Sequence, residues 1–121
     1  MPLCAIEKTS AFPRSARILR SADFRVVYDK GTRVTCPLFA AFCLERPDRS
    51  GVRIGLTVPR AIGNAVVRNR IKRRIREAFR LHRAEFGPQW DIVVNPRRSA
   101  LTAAFDEIER GLGKVIQKCG H

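Results

Sequence analysis

Seven cations stand between Arg68 and Arg80: Arg68, Arg70, Lys72, Arg73, Arg74, Arg76 and Arg80, with Glu77 as the one acid among them. Six of the seven are arginine. A guanidinium is a planar fork that holds a phosphate through two hydrogen bonds and stacks on a base, which an ammonium does not do. Asn69 sits in the middle of the run, and its amide both donates and accepts. It suits a 2′-hydroxyl or a base edge; a local backbone hydrogen bond is the alternative. The approach segment Pro59-Arg60-Ala61-Ile62-Gly63-Asn64 adds Arg60 and Asn64. Gly63 is expected to let the backbone turn sharply there, and amides at a helix N-terminus bind phosphate. The chemistry offered is the binding of a polyanion.

Bond-making chemistry finds less support. Two-metal hydrolysis needs clustered carboxylates. Asp23, Asp29, Asp91 and Asp106 fall in scattered contexts, with no histidine beside them. Cys4, Cys36, Cys43 and Cys119 lack the two-residue spacing of a zinc knuckle or redox motif, so they read as reduced thiols. His82 and His121 are not spaced with them as ligands would be. The expectation is no catalytic residue in the protein, no metal ligand and no bound cofactor.

The whole chain repeats the local pattern. It has 24 Lys+Arg against 11 Asp+Glu, a formal net charge of +13, so the folded state repels itself unless a polyanion neutralises it. Nucleic acid and anionic membrane are the two candidates. Apolar stretches such as Pro37 to Leu44 fall far short of the ~20 residues that span a bilayer. The N-terminal residues Met1 to Lys8 lack the charged start and apolar run of a secretory signal. A cytoplasmic, nucleic-acid-binding protein is expected, with a flexible N-terminal segment over 1–11 and a single RNA-binding domain over 12–118.

The elements that must position these residues follow from periodicity. Ser21 is expected to cap a first helix carrying Phe24, Val27 and Tyr28, with Gly31 to stop it. Val34 to Leu44 reads as one strand, apolar on both faces, with Pro37 marking an edge or a late start. A polar turn follows over 45–51. Val52 to Val58 reads as a second strand, predicted to pair with the first as an antiparallel hairpin. A helix is predicted from about Ala65 to Arg83. At 100° per residue, Val67, Ile71, Ile75, Ala78 and Phe79 gather on one side, and Arg68, Lys72, Arg76 and Arg80 run down the next stripe. Asp91 to Val94 reads as a short buried strand. Thr102 is expected to cap a last helix with Leu101, Phe105, Ile108, Leu112, Val115 and Ile116 in one stripe. Gly111 and Gly113 weaken that helix.

The ordered motifs resemble a known family. Gly55-Leu56-Thr57-Val58, followed by Ile62-Gly63-Asn64-Ala65-Val66-Val67-Arg68-Asn69-Arg70-Ile71-Lys72-Arg73-Arg74-Ile75-Arg76-Glu77-Ala78-Phe79, resembles the signature of the bacterial ribonuclease P protein subunit. Asp23 to Gly31 matches that family's first helix, and Asp91 to Val94 the strand after its basic helix. The likeness extends over about residues 12–117. It implies an α+β fold, a compact α/β sandwich with one central, mostly antiparallel sheet. The implied element order is α-β-β-α-β-α with a left-handed βαβ crossover. It also implies a role in removing the 5′ leader from precursor tRNA, with a catalytic RNA subunit and precursor tRNA as partners. Cleavage would lie with the RNA and its magnesium ions. By the same resemblance Arg68, Asn69, Arg70, Lys72 and Arg73 meet the catalytic RNA; the basic helix and its approach loop add Arg60, Asn64, Arg74 and Arg76 to the expected RNA-binding residues. Phe24, Tyr28 and Phe42 would line the cleft for the single-stranded leader. The family usually has a serine and two basic residues where this chain has Pro59-Arg60-Ala61, so one loop cation is missing.

Spacing alone leaves two readings of the aromatic trio, core packing or sequence-tolerant stacking on leader bases. Tyr28 is the one whose hydroxyl needs a partner. Charge pattern also leaves open a ribosomal or other structural RNA-binding protein without a processing role. Only the motif resemblance separates that reading from a processing subunit.

Overall fold

The computed structural model describes residues 17–18, 20–47, 51–86 and 89–119. The expected flexible segment 1–11 lies outside them. Three helices and four strands follow in the order α1 (Ser21–Lys30), β1 (Thr32–Thr35), β2 (Phe39–Glu45), β3 (Arg53–Leu56), α2 (Ala65–His82), β4 (Trp90–Pro96) and α3 (Phe105–Cys119). The fold is α+β, as expected, with one more strand than the predicted order.

The extra strand comes from Pro37. Val34 to Leu44 is not one strand but two, β1 and β2, paired antiparallel from Thr32↔Cys43 to Thr35↔Ala40. Cys36 N donates to Phe39 O at 2.9 Å, which leaves Pro37 and Leu38 as a two-residue hairpin loop. Proline has no N–H for a ladder, so the chain folds back where the ladder would have failed.

The predicted hairpin between the runs Val34 to Leu44 and Val52 to Val58 does not form. The strand order is β1-β2-β4-β3: β4 lies between β2 and β3, antiparallel to the first and parallel to the second. The physical reason is double burial. Ile92, Val93 and Val94 are all fully buried. A run apolar on every residue belongs in the middle of a sheet covered on both faces. β3 and β4 are then the parallel strands of a βαβ unit, with α2 as the crossover.

The two faces carry separate clusters. Phe39, Ala41, Cys43, Ile54, Ile92 and Val94 pack in the main core with Ile71, Ile75, Ala78 and Phe79 of α2 and Ile108, Leu112, Val115 and Ile116 of α3. The alternate residues face the other way. There Val93, Ile18 and Val27 are buried, with Phe24, Tyr28, Phe42 and Leu44 packed around them. So α1 covers one face, and α2 with α3 the other.

Helix ends depart from the expectations in small ways. Ser21 is the first helical residue of α1 and not its cap; Arg20 holds the cap position without a side-chain bond. Gly31 does end α1, where the backbone turns extended (φ −76°, ψ 159°), and a Cβ there would lie 2.5 Å from Val27 O. Thr102 does not cap α3. A 3-10 turn over Arg98–Leu101 intervenes, and the helix begins at Phe105. Glu107 supplies the start signal instead, its carboxylate accepting from Ala104 N at 3.4 Å. Gly111 is needed inside α3: a Cβ would meet Cys36 Sγ at 2.8 Å and the Phe39 ring at 3.0 Å.

One ion pair locks the α1 side of the sheet. Asp91 is 1% exposed, the one buried charged residue among those described. Arg53 grips it through both arms, Nε to Oδ1 at 2.9 Å and Nη2 to Oδ2 at 2.7 Å. Arg46 adds a longer contact at 3.4 Å, and Arg53 also reaches Asp23 of α1 at 3.7 Å. The hydrogen bonds that Arg53 donates to Asp91 are the main reason that the Arg53 pKa rises above its ordinary value. Removing one partner of a buried pair leaves the other charge uncompensated. Asp91→Ala should lower the unfolding free energy by about 3 kcal/mol in urea titrations. A loss below about 0.5 kcal/mol would mean that water screens the pair as it does a surface bridge.

Candidate nucleic-acid interface

The α2 helix is set by its first residues. Asn64 is its N-cap, with Oδ1 accepting from Val67 N at 3.0 Å. Its carbonyl oxygen is therefore committed to the helix. Gly63 serves a close approach and not a left-handed turn: its φ of 163° is extended, and a Cβ would meet Val67 Cγ1 at 2.8 Å. Arg98 Nη1 donates to Ile62 O and ties this approach loop to the segment after β4.

The apolar arc of α2 buries Ile71, Ile75, Ala78 and Phe79, with Val67 partly covered. Away from the core the helix presents Asn69, Arg70 and Arg73 to solvent, flanked by half-buried Arg68, Lys72 and Arg76. Arg60 is exposed on its 3-10 turn just ahead. Among the described residues, no acid pairs with Arg68, Arg70, Lys72 or Arg73. Val66, 68% exposed, lies beside this surface.

Two arginines of the run have other work. Arg80 makes a two-armed pair with Glu77, at 2.9 and 2.6 Å, which accounts for the single acid of the helix. That bond holds the Glu77 pKa below its ordinary value. Arg74 turns inward. Its guanidinium donates to Ala100 O at 2.7 Å, to Leu101 O at 2.9 Å and to Ala103 O. These are carbonyls of the turn before α3, so Arg74 fastens α2 to α3. Of the nine residues expected to meet RNA, Arg74 is the one whose charged group the fold occupies.

The aromatic trio comes together on the opposite face of the sheet. Tyr28 and Phe42 meet edge to face, with centroids 5.0 Å apart and planes at 76°. The Arg33 guanidinium carbon stands 6.0 Å from the Phe42 centroid. Phe24 lies over Gly55, where a Cβ would come within 2.6 Å of its ring. All three rings are half-buried, so they are neither free of the core nor sealed in it. The Tyr28 hydroxyl lies 2.6 Å from Asn95 Oδ1 and 3.1 Å from Thr57 Oγ1. It has one proton, which goes to the amide oxygen, and the Thr57 hydroxyl donates to it in turn. Asn95 and Thr57 escaped the sequence reading. Each follows by two a residue on the α1 face, Val93 and Gly55, so strand alternation was the signal that could have found them.

The chain has relatives with the same elements. The family described as Ribonuclease P matches residues 12–120. The Ribonuclease P protein component of Exiguobacterium sibiricum is 36% identical over 86% of this chain and 90% of its own length. The chain belongs to the ribonuclease P protein component family. Its Desulfovibrio desulfuricans relative is 42% identical over 78% of this chain and 73% of that protein. Among solved structures, the RNase P protein of Staphylococcus aureus superposes with a TM-score of 0.74 at 34% identity, covering 85% of this chain and 94% of that one. The protein from Thermotoga maritima gives a TM-score of 0.76 at 25% identity, over 87% and 98% of the two chains. A mixed fold with one four-stranded, mostly antiparallel sheet and three helices is thus the RNase P protein fold. Family membership carries a role in ribonuclease P and tRNA 5′ processing. No described helix is long and apolar enough to cross a membrane.

The far end of α2 is fastened by a titrating group. His82 Nε2 lies 2.7 Å from Glu109 Oε2 of α3, and its Nδ1 bonds Glu85. Those bonds, Glu109 first, raise the His82 pKa above its ordinary 6.5. A raised pKa in the folded state stabilises the protein below the unfolded value, and the gain is lost as pH rises through the folded one. The melting temperature should therefore exceed that of His82→Gln at pH near 6, and the gap should close under alkaline conditions. A gap independent of pH would mean that His82 is never charged in this position.

Proposed function

We propose that this protein is the RNA-gripping subunit of a ribonucleoprotein endonuclease that removes the 5′ leader from precursor tRNA. The catalytic RNA binds along α2, and the single-stranded leader lies in the cleft beside α1. The observation that carries the reading is the row Arg68, Arg70, Lys72 and Arg73, cations of one helix without an acid to relieve them among the described residues. Like charges at helical spacing repel by a few tenths of a kcal/mol per pair, and a bound polyanion reverses the sign.

In this reading Arg70 and Arg73 hold phosphates through their forks, Arg68 and Lys72 extend the contact, and Arg60 reaches it from the loop. Asn69 meets a 2′-hydroxyl or base edge. Asn64 contributes its amide nitrogen and the ordered start of α2, while Arg74 acts from within by holding α3. On the other face, bases of the leader stack against the open edges of Tyr28 and Phe42, with Phe24 behind them. The bonds to Asn95 and Thr57 keep the Tyr28 ring from rotating away. Stacking of this kind tolerates any base, as a set of varied leaders requires. Bond cleavage belongs to the RNA subunit, and magnesium acts through it; the protein supplies no catalytic group and holds no cofactor. The setting is the cytoplasm, where precursor tRNA is made.

Reconstitution tests this reading. Protein alone should leave precursor tRNA intact, and addition of the RNase P RNA should restore cleavage at low magnesium. Arg70→Ala should weaken binding to that RNA and lower its salt slope by roughly one unit. Tyr28→Ala, verified as folded by circular dichroism, should spare RNA assembly but weaken leader-bearing substrate by about 1–3 kcal/mol. Leaderless tRNA should be unaffected. If both variants act equally on leader-bearing and leaderless RNA, the protein is a structural RNA binder without a leader site.

A further inference from the structure

The Tyr28 hydroxyl is the middle link of a directed chain of hydrogen bonds. Thr57 Oγ1 donates to it from 3.1 Å, and it donates in turn to Asn95 Oδ1 at 2.6 Å. A side-chain amide has two ends, an oxygen that accepts and a nitrogen with two N–H donors. The oxygen of Asn95 holds the phenol proton, and that bond sets the plane of the amide. The nitrogen is the free end of the chain: among the described residues nothing accepts from Asn95 Nδ2.

Strand register puts this free end beside the aromatic trio. Thr35 stands opposite Ala40, and Ala40 opposite Asn95, so their side chains share the α1 face in one row across β1, β2 and β4. Thr57, just past β3, joins the row through its bond to Tyr28. The neighbouring row on the same face holds Phe42 opposite Val93. Asn95 is half-buried, and Ala40 offers it only a methyl group on the β2 side. An amide nitrogen half-removed from water without an acceptor is costly, and a ligand that brings an acceptor recovers the loss. An asparagine with both ends free reads adenine, through a donor and an acceptor together. Here Tyr28 occupies the acceptor, and donors remain.

We propose that Asn95 reads one base of the leader, and that its donor end favours a keto group over an amino group on that base. This role rests on the reading of the cleft beside α1 as the leader site. It adds to sequence-tolerant stacking a bias worth one hydrogen bond. Uracil and cytosine isolate that bias, since both are single-ring pyrimidines that differ in one exocyclic group, an acceptor oxygen in uracil and an amino donor in cytosine.

The test uses holoenzyme assembled from the full-length protein and the RNase P RNA. Two precursor tRNAs are compared that differ only in an unpaired leader of uridines or of cytidines. The ratio of their affinities for the RNA subunit alone is the baseline. Against it, the holoenzyme should favour the uridine leader about three- to tenfold, the range of one net hydrogen bond. Asn95→Asp presents oxygens alone and should invert the ratio toward cytidine, whose amino group donates to it. The added negative charge weakens both substrates and cancels in the ratio. Tyr28→Phe keeps the ring and removes the phenol proton, so the amide is free to turn, and the preference should fall toward the baseline. A wild-type ratio at the baseline would overturn the role of Asn95, as would an Asn95→Asp ratio equal to the wild-type one. If Asn95→Asp does not fold by far-UV circular dichroism, Tyr28→Phe decides alone, and an undiminished preference there overturns the role. Tyr28→Ala separates this role from the cleft. A loss of affinity for both leaders, with the wild-type ratio at the baseline, removes only the Asn95 contact, whereas no loss for either leader removes the leader cleft itself.

Discussion

The double burial of β4 is the constraint on which the rest of the structure depends. Ile92 and Val94 look toward α2 and α3, and Val93 looks toward α1. A strand that must be covered on both sides takes the centre of the sheet and forces helices onto both faces. The basic helix and the aromatic cleft then lie on opposite sides of the same four strands. The separation of the two candidate surfaces thus follows from three consecutive apolar residues.

Close approaches set how far each covering helix can settle. Phe24 descends onto β3 because Gly55 has no side chain, and α3 descends onto β2 because Gly111 has none. The buried pair of Asp91 and Arg53, extended to Asp23, fixes the first turn of α1 over the same face. Polar locks play the equivalent part around α2. Arg74 holds carbonyls ahead of α3, and His82 bonds Glu109 within it. These locks spend some of the positive charge of the chain on structure and leave Arg68, Arg70, Lys72 and Arg73 facing outward.

Much of this could be read from the sequence, and what could not has a common cause. The α2 helix, its buried arc and its basic face are local patterns at a single period, and they stand where periodicity put them. The run Asp91 to Val94 announced a doubly covered strand, yet its partners depended on topology, and the expected hairpin between β2 and β3 was wrong. Pro37 marked a late strand start, and β2 does begin just after it, at Phe39; that the residues before it form a separate strand, β1, depended on the pairing of Cys36 with Phe39. Arg74 looked like its neighbours because its acceptors, Ala100 to Ala103, are distant in the chain. Tyr28 had an evident need for a partner, but Asn95 and Thr57 become its partners only through the strand register.

The central claim is that one sheet keeps the two surfaces energetically independent. A double-mutant cycle on Arg70→Ala and Tyr28→Ala tests it most directly, with affinity for the RNase P RNA and for leader-bearing precursor tRNA measured in turn. Distant sites without shared partners add within about 0.5 kcal/mol, and the account predicts a coupling energy no larger than that in either measurement. A coupling above about 1 kcal/mol would contradict it, since it would mean that the helix and the cleft grip a common feature.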